Sequence, residues 1–399
     1  MSIPYHHQHI QTLEDVESGS SVFLRLDLNV PLKDGEITDD TRIRAALPTI
    51  KVLMEKECKI TIASHLGRPK GRVSQEFSLL PVAQRLAELL DKEIVFPDDC
   101  IGSGVQKHLT DQQSGQIILL ENLRFHADEE ENNKEFAQRL KTSHQVYVTD
   151  AFGTLHREHA STSALPKLFK KKYAGLLVEK ELKALSKLVK RSEHPYSVVL
   201  GGAKISDKLK VVETLLKKAD RIFLGGAMVF TFLKARGHRV GRSLVEDDMI
   251  SRAKKIMQEA SDRGVSLFFP KDFYLGTSIK EPGQPQYCDS VSIPDDLMAL
   301  DVGPKTISHF EQYLQGSKTL FWNGPMGLFE RPPFNQGTNE VAAIIAKSSG
   351  YRVVGGGDSV AAINQSGLAD HVDHISTGGG ASLEYLEKGG LPGLRILAG

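Results

Sequence analysis

Nine short apolar runs, rich in valine, isoleucine and leucine, recur along the chain and constrain its fold more than any other feature. In the first half they are SVFLRLDLN, KITIASHLG, QIILLENLR and QVYVTDAFG; in the second, YSVVLGGAK, RIFLGGAM, KTLFWNGP, RVVGGG and HISTGGG. Runs this short and this apolar suit strands buried on both faces of a parallel sheet. Helical patterns such as LLPVAQRLAELL, NKEFAQRLK and ISRAKKIMQEASDRG lie between them. Alternating strand and helix predicts an α/β chain built from doubly wound, Rossmann-like parallel sheets. A chain of 399 residues has room for roughly two or three such domains.

The runs end differently in the two halves. Those of the first half run out into Arg25, Asp27 and Asn29, into His65 and Arg68, into Arg124, and into Asp150. Those of the second run out into glycine: Gly201-Gly202, Gly225-Gly226, Gly355 to Gly357 and Gly378 to Gly380. Ligands of open parallel sheets bind beyond the carboxyl ends of the strands. One half therefore offers an anion site made of side chains. The other offers backbone amides at loop-to-helix junctions, which suit phosphate. Between the halves, YAGLLVEKELKALSKLVKR (Tyr173 to Arg191) has leucines at helical spacing and is the expected connector, stopped at the proline of SEHPYS. The stretch GTSIKEPGQPQYCDS, Gly276 to Ser290, reads as a surface loop.

Composition narrows the function classes. Lysine plus arginine (50) balance aspartate plus glutamate (50), so no global field favours nucleic acid or an anionic membrane. Any anion site must be a local concentration of basic groups. The cysteines, Cys58, Cys100 and Cys288, are far apart and form no C-x-x-C pair, so neither a zinc knuckle nor a disulfide framework is indicated. No apolar signal region and no membrane-length apolar run is found, and a cytoplasmic location is the expectation. His6, His7 and His9 read as a polar terminus rather than a metal site. His156 and His159 in HREH, and His371 and His374 in DHVDH, lack the H-E-x-x-H spacing, which argues against zinc there.

Several constellations carry possible chemistry. In RLDLNVP, alternation would place Arg25, Asp27 and Asn29 on one strand face. SHLGRPKG sets His65 and Arg68 after a strand. TDDTRIRAALPTI offers Asp39, Asp40 or Thr41 as a helix cap, with Arg42 and Arg44 in a first turn whose dipole they oppose. Arg124 and Arg157 add to these. Each arginine alone is an ordinary solvated cation; gathered beside strand and helix ends, they indicate a small anionic substrate. In VVGGGDSVAAI a glycine run precedes Asp358 and Ser359, placing phosphates on a helix N-terminus with Asp358 offering oxygen to Mg²⁺. ISTGGGASLEYL repeats that geometry. VVLGGAKISDKLK holds Lys204 and Lys208 a helical turn apart, yet no Gly-Lys dipeptide exists, so this is not a Walker loop. No G-x-G-x-x-G aligns either, which counts against a nicotinamide dehydrogenase.

Taken together, RLDLNVP, SHLGRP, LLENLRFH, DAFGTLHREHAS, LGGAKISDK, LDVGP, WNGPMGLFE, GGGDS and STGGGASLE stand in the order and spacing of the phosphoglycerate kinase family, which the chain resembles over essentially its whole length. The resemblance implies an N-terminal 3-phosphoglycerate domain (1–172), an interdomain helix (173–191), a C-terminal nucleotide domain (192–384) and a tail (385–399) packing back on the first. It implies substrate contacts from Arg25, Asp27, Asn29, Arg42, His65, Leu66, Gly67, Arg68, Arg124 and Arg157. On the nucleotide side it implies Gly201, Lys204, Lys208, Gly225, Gly226, Gly303, Asn323, Glu330, Gly356, Gly357, Asp358 and Ser359, with Glu330 on the ribose and Asp358 toward Mg²⁺. Ser359 stands where many members have threonine, and the hydroxyl is kept.

The implied reaction is reversible phosphoryl transfer between 1,3-bisphosphoglycerate and ADP, giving 3-phosphoglycerate and ATP. Its nucleophile in the ATP-consuming direction is a carboxylate, ionised near neutral pH because its pKa is about 4. No catalytic base is needed, and the work falls to charge stabilisation by Arg42, Lys204, the amides of Gly379 and Gly380, and Mg²⁺. With the ligands on separate domains, in-line transfer would demand hinge closure around the connector. A monomer acting on small molecules, without nucleic-acid or membrane partners, is the expectation. The rival is a catalytically silent two-domain nucleotide- and anion-binding protein.

Overall fold

A computed structural model describes residues 10–399; His6, His7 and His9 lie outside the described residues. The chain divides into two compact units. The first holds the residues up to Lys183 together with Lys388–Gly399, and the second holds Ala184–Glu387.

The first unit is built on a seven-stranded parallel sheet: β1 (Gln11–Thr12), β2 (Ser21–Arg25), β3 (Lys59–Ala63), β4 (Ile94–Val95), β5 (Ile117–Leu119), β6 (Val146–Thr149) and β7 (Lys171–Ala174). The strands lie in the order β1-β7-β6-β2-β3-β5-β4. β2 is central, and Val22, Phe23 and Leu24 are fully buried, so side chains on both of its faces are covered, as an α/β sheet requires. On one face the helix Thr41–Glu55 buries Ile43, Ala46, Ile50 and Leu53, a single stripe at helical spacing, against Val22, Leu24, Ile60 and Ile62. Each buried Ile, Leu or Val side chain among these stabilises the fold by about 1.5–3 kcal/mol relative to exposure. β2 ends at Arg25, so Asp27 and Asn29 lie beyond the strand rather than on its face. The backbone leaves the ladder there because Leu28 N–H turns to Ser64 Oγ (2.9 Å).

Tyr173 and Ala174 still belong to β7, and the connector helix begins at Leu176 and runs to Lys190. Its first turn is satisfied by buried groups: Leu176 N–H donates to Thr49 Oγ1 (2.9 Å) and Val178 N–H to Asp150 Oδ1 (3.0 Å), while Thr49 Oγ1 donates to Asp150 Oδ2 (2.5 Å). A carboxylate at this end meets the orphan amides and the positive end of the helix dipole together. At the other end of the chain, the short helix Pro392–Leu397 buries Leu394 and Leu397, and Gly393 N–H donates to Leu155 O (2.9 Å) in the first unit.

The second unit has a six-stranded parallel sheet: β8 (Tyr196–Leu200), β9 (Arg221–Leu224), β10 (Ser266–Phe268), β11 (Thr319–Asn323), β12 (Tyr351–Val354) and β13 (His374–Ile375). Its order is β10-β9-β8-β11-β12-β13. The chain moves outward from β8 on one side and then returns to its other side with β11. The crevice beyond the carboxyl ends of β8 and β11 is therefore the topological switch point, where ligands of such sheets bind. A small antiparallel sheet joins Phe273–Gly276 to Gln286–Cys288 and Met298–Val302. The stretch read as a surface loop thus contributes strand residues at Gly276 and Gln286–Cys288. An exposed edge strand with glutamine, tyrosine and cysteine carries no apolar alternation to announce it.

Candidate functional site

In the first unit, basic side chains gather beyond the carboxyl ends of β2, β3, β5 and β6. Arg25, only 1% exposed, donates from Nε to Ser161 Oγ (2.8 Å) and from a terminal nitrogen to His65 Nδ1 (3.3 Å). A guanidinium can only donate, so His65 Nδ1 accepts and the ring proton sits on Nε2. Burial first, then the charges of Arg25, Arg124, Arg157 and Arg42, hold the His65 imidazole well below its usual range. His159 is pushed down to about 4 by burial and by Arg124, Arg25 and Arg157. Two imidazoles held down by burial and by the surrounding guanidinium groups mark a cradle of positive potential. An anion is the ligand that would relieve it.

Partners that the sequence did not suggest hold these groups in place. Glu129, fully buried, accepts from Ser161 N (2.9 Å) and Ser161 Oγ (2.5 Å), so carboxylate, hydroxyl, Arg25 and His65 form one chain of contacts. In ADEEEN this glutamate looks like a solvated acid of a helix's first turn. Asn122 takes the amides of Leu66 (3.2 Å) and Arg124 (3.0 Å) and donates to Leu66 O (2.7 Å), clamping the turn after β3. Arg124 donates to Gly67 O (2.7 Å) and pairs with Glu130 (3.2 Å). Gly67 N–H donates to Asn29 Oδ1 (2.8 Å), and Arg42 pairs with Asp27 (3.0 Å). Arg44, by contrast, pairs with Asp40, and Arg68 points to solvent.

In the second unit a cavity of about 270 Å³ opens at the switch point, lined by Gly202, Gly226, Phe230, Leu300, Met326, Glu330 and Asp358 among others. Its walls are largely apolar, with carboxylates at Glu330 and Asp358, a form suited to a flat heterocycle carrying polar ends. Asn323, at the end of β11, accepts the Lys208 ammonium and donates to Gly355 O (2.6 Å). Burial lowers the Lys208 pKa, while Asp358 and Asp207 act against the shift. Ser359 Oγ accepts Gly324 N–H (3.1 Å) and donates to Gly355 O (2.6 Å), tying the loop after β11 to that after β12. The helices Gly357–Gln365 and Gly380–Lys388 start at these glycines, and a Cβ at Gly357 or Gly379 would meet open space, so no packing demands glycine at these two positions.

Other glycines serve packing. At Gly226 (φ +64°) a Cβ would strike the Gly202 backbone, and at Gly201 the Pro325 carbonyl. A Cβ at Gly225 would meet the Met326 side chain, and at Gly303 the buried Asp272 carboxylate. Gly303 is the residue before the helix Pro304–Leu314 and is itself buried.

The two lysines do not share a helical face. Lys204 to Lys208 is a turn, and the helix begins only at Leu209. Lys204 is exposed, whereas Lys208 is half-buried. Glu246 fixes this turn, accepting the amides of Ile205 (2.6 Å) and Ser206 (3.1 Å) along with the Ser206 hydroxyl. Glu246 lies 40 residues beyond Ser206, and no spacing rule connects them.

With this geometry in view, comparison with known proteins is decisive. A family model described as phosphoglycerate kinase matches residues 13–389. The chain belongs to the phosphoglycerate kinase family. A phosphoglycerate kinase of Anaeromyxobacter sp. (strain Fw109-5) is 49% identical over 394 residues, 98% of this chain and all of that one. A phosphoglycerate kinase of Nostoc sp. (strain PCC 7120) is 49% identical over 384 residues, covering 95% of this chain and 96% of the relative. Among solved structures, phosphoglycerate kinase from Coxiella burnetii is similar at a TM-score of 0.87 and 38% identity, covering 97% of this chain and 98% of that one. The Pyrococcus horikoshii OT3 enzyme is similar at 0.86 and 35%, with the same coverage. Membership of this family makes the chain a phosphotransferase, with both parallel-sheet units of the expected α/β class. No helix among the described residues is long and apolar enough to cross a membrane.

Proposed function

We propose that the first unit binds 3-phosphoglycerate or the matching end of 1,3-bisphosphoglycerate, that the second binds ADP or ATP, and that phosphoryl transfer between them is driven by positioning and charge alone. The observation that carries the substrate side is the neutral His65 among Arg25, Arg42, Arg124 and Arg157. Those guanidinium groups would meet the phosphate and carboxylate of the three-carbon acid, with Arg68 reaching in from solvent. Asp27 and Asn29 would accept its hydroxyl, and His65 would donate from Nε2. Leu66 and Gly67 shape the turn that fixes His65 and Arg124.

On the nucleotide side, the cavity beyond β8 and β11 would take the base and ribose, with Glu330 accepting from the ribose hydroxyls. The amides of Gly356 and Gly357, the Ser359 hydroxyl and Lys208 would hold the phosphates, with Lys208 leaving Asn323 for them. Gly201, Gly225, Gly226 and Gly303 keep the surrounding loops close-packed. Asp358 is exposed, lines the cavity and stands in the first turn of its helix. A single hard carboxylate beside phosphates fits Mg²⁺, which takes one or two carboxylates plus phosphate oxygens. When bound, the ion would neutralise charge on the bridging phosphate oxygens.

The attacking oxygen in the ATP-consuming direction belongs to a carboxylate with a pKa of about 4, so no residue need remove a proton. Arg42, Lys204 and the amides of Gly379 and Gly380 would stabilise the charge on the transferring group. Calorimetric titration tests the substrate assignment. Arg124→Ala and Arg157→Ala should each weaken 3-phosphoglycerate binding while leaving MgADP binding intact; the reverse pattern overturns it.

A further inference from the structure

We propose that Asp99, Cys100 and His126 form a binding site for a transition-metal dication of the Zn²⁺ type in the first unit, with ligands distinct from the arginine cradle. One ligand atom from each residue converges within 4.8 Å of the others, and no other group of three or more His, Cys, Asp or Glu ligand atoms does so among the described residues. His126 Nε2 lies 2.7 Å from Asp99 Oδ1, which also accepts the Cys100 N–H at 2.6 Å. The thiol forms a floor, since Cys100 is 2% exposed. The side chains of His126 and Asp99, 27% and 46% exposed, form an open mouth.

The donor set selects the ion. Sulfur, imidazole nitrogen and one carboxylate oxygen are poor ligands for Mg²⁺ or Ca²⁺, which take oxygen, and good ones for Zn²⁺ and its neighbours. Three protein ligands with solvent on the fourth side give the tetrahedral site with an exchangeable position that such ions adopt. The positions are held in advance: the Cys100 amide anchors Asp99, and the His126 ring lies against Phe136 with centroids 5.3 Å apart. Binding displaces the thiol proton to solvent, and the neutral imidazole offers Nε2 to the ion by carrying its ring proton on Nδ1, which leaves Asp99 a carboxylate. Thiolate and carboxylate then balance the dication, so a partly buried site is left neutral. Cysteine spacing could not disclose this site. Asp99 and Cys100 follow β4, whereas His126 follows β5, and the sheet brings the two loops together.

Titrating the full chain with Co²⁺ as a spectroscopic probe tests the site. The expected result is a near-ultraviolet thiolate-to-cobalt absorption that saturates at one ion per chain and is removed by added Zn²⁺. Cys100→Ser should abolish the band and Cys288→Ser should leave it. Outer-shell changes alone cost about 10–100-fold in metal affinity, so losing a ligand in His126→Gln should cost at least that order. The terminal histidines can bind cobalt but cannot produce a sulfur band. No band in the unaltered chain, a band surviving Cys100→Ser, or unchanged affinity in His126→Gln would overturn the proposal. Should Cys100→Ser fail to fold, Asp99→Asn, at a half-exposed side chain, decides instead: unchanged affinity counts against the site.

Discussion

Lys204 and Lys208 are four residues apart yet differ in exposure and in partner. Lys204 reaches solvent from a turn pinned by Glu246, and Lys208 rests on Asn323. Lys204→Ala, like Arg42→Ala, should lose about 10²–10⁵ in turnover, as removal of charge-stabilising groups does in phosphoryl transfer; near-normal turnover in either folded variant contradicts that role. Lys208→Ala should weaken ADP and ATP binding, and unchanged titrations would count against it. Glu246→Gln keeps shape but weakens the hold on two amides, so kcat should fall more than nucleotide affinity. Equal effects on both would make Glu246 merely structural. At this scale the sequence disclosed the arginines and glycines that the structure gathers beyond the strand ends, because the runs of apolar residues end on them. It did not disclose Glu129, Ser161, Asn122 or Glu246. These act through contacts across sequence gaps such as the 136 residues between Arg25 and Ser161, and local patterns do not record them.

Buried carboxylates anchor elements in both units. Asp150 caps the helix Leu176–Lys190, and Asp301 accepts the amides of Gly337 (2.8 Å) and Val302 (2.9 Å) beside the cavity at the switch point. Burial pushes both up to about 7, against the hydrogen bonds they accept. An unfolded aspartate titrates near 4. Between about pH 4 and 7 the folded chain therefore holds protons that the unfolded chain has lost. Their contribution to stability is fullest below that window, falls as pH rises through it and levels off above it. Asp150→Asn or Asp301→Asn should flatten this part of the pH dependence of the urea midpoint relative to the unaltered chain. A variant with the same slope would show that the carboxyl is already ionised throughout. The strands were legible as elements because both faces of each central strand are apolar. The edge strand Gln286–Cys288, with neither face buried, was not. The helix begins at Leu209 rather than at Lys204, after a turn held by a carboxylate distant in sequence.

Over the whole molecule, two α/β units each carry their own sheet and their own candidate ligand site. The alternation of strand and helix predicted the α/β class of both, and the contrast between polar and glycine-rich strand ends distinguished their two candidate sites. Strand order was not legible. It depends on which neighbours pair, and it is this order that puts the crevice between β8 and β11 rather than elsewhere. Hydrogen exchange should report the division directly. 3-Phosphoglycerate alone should protect the turns around His65 and Arg124, and MgADP alone those at Gly201–Gly202 and Gly356–Gly357; protection in the opposite unit only would reverse the assignment. If the chain transfers a phosphoryl group to a carboxylate by placing charge rather than by acid–base chemistry, a coupled assay with ATP, Mg²⁺ and 3-phosphoglycerate will show it. Turnover should depend on all three, collapse in Lys204→Ala and show no step from His65 titration between about pH 6 and 8. Absence of turnover in the folded chain, or full activity in Lys204→Ala, would contradict it.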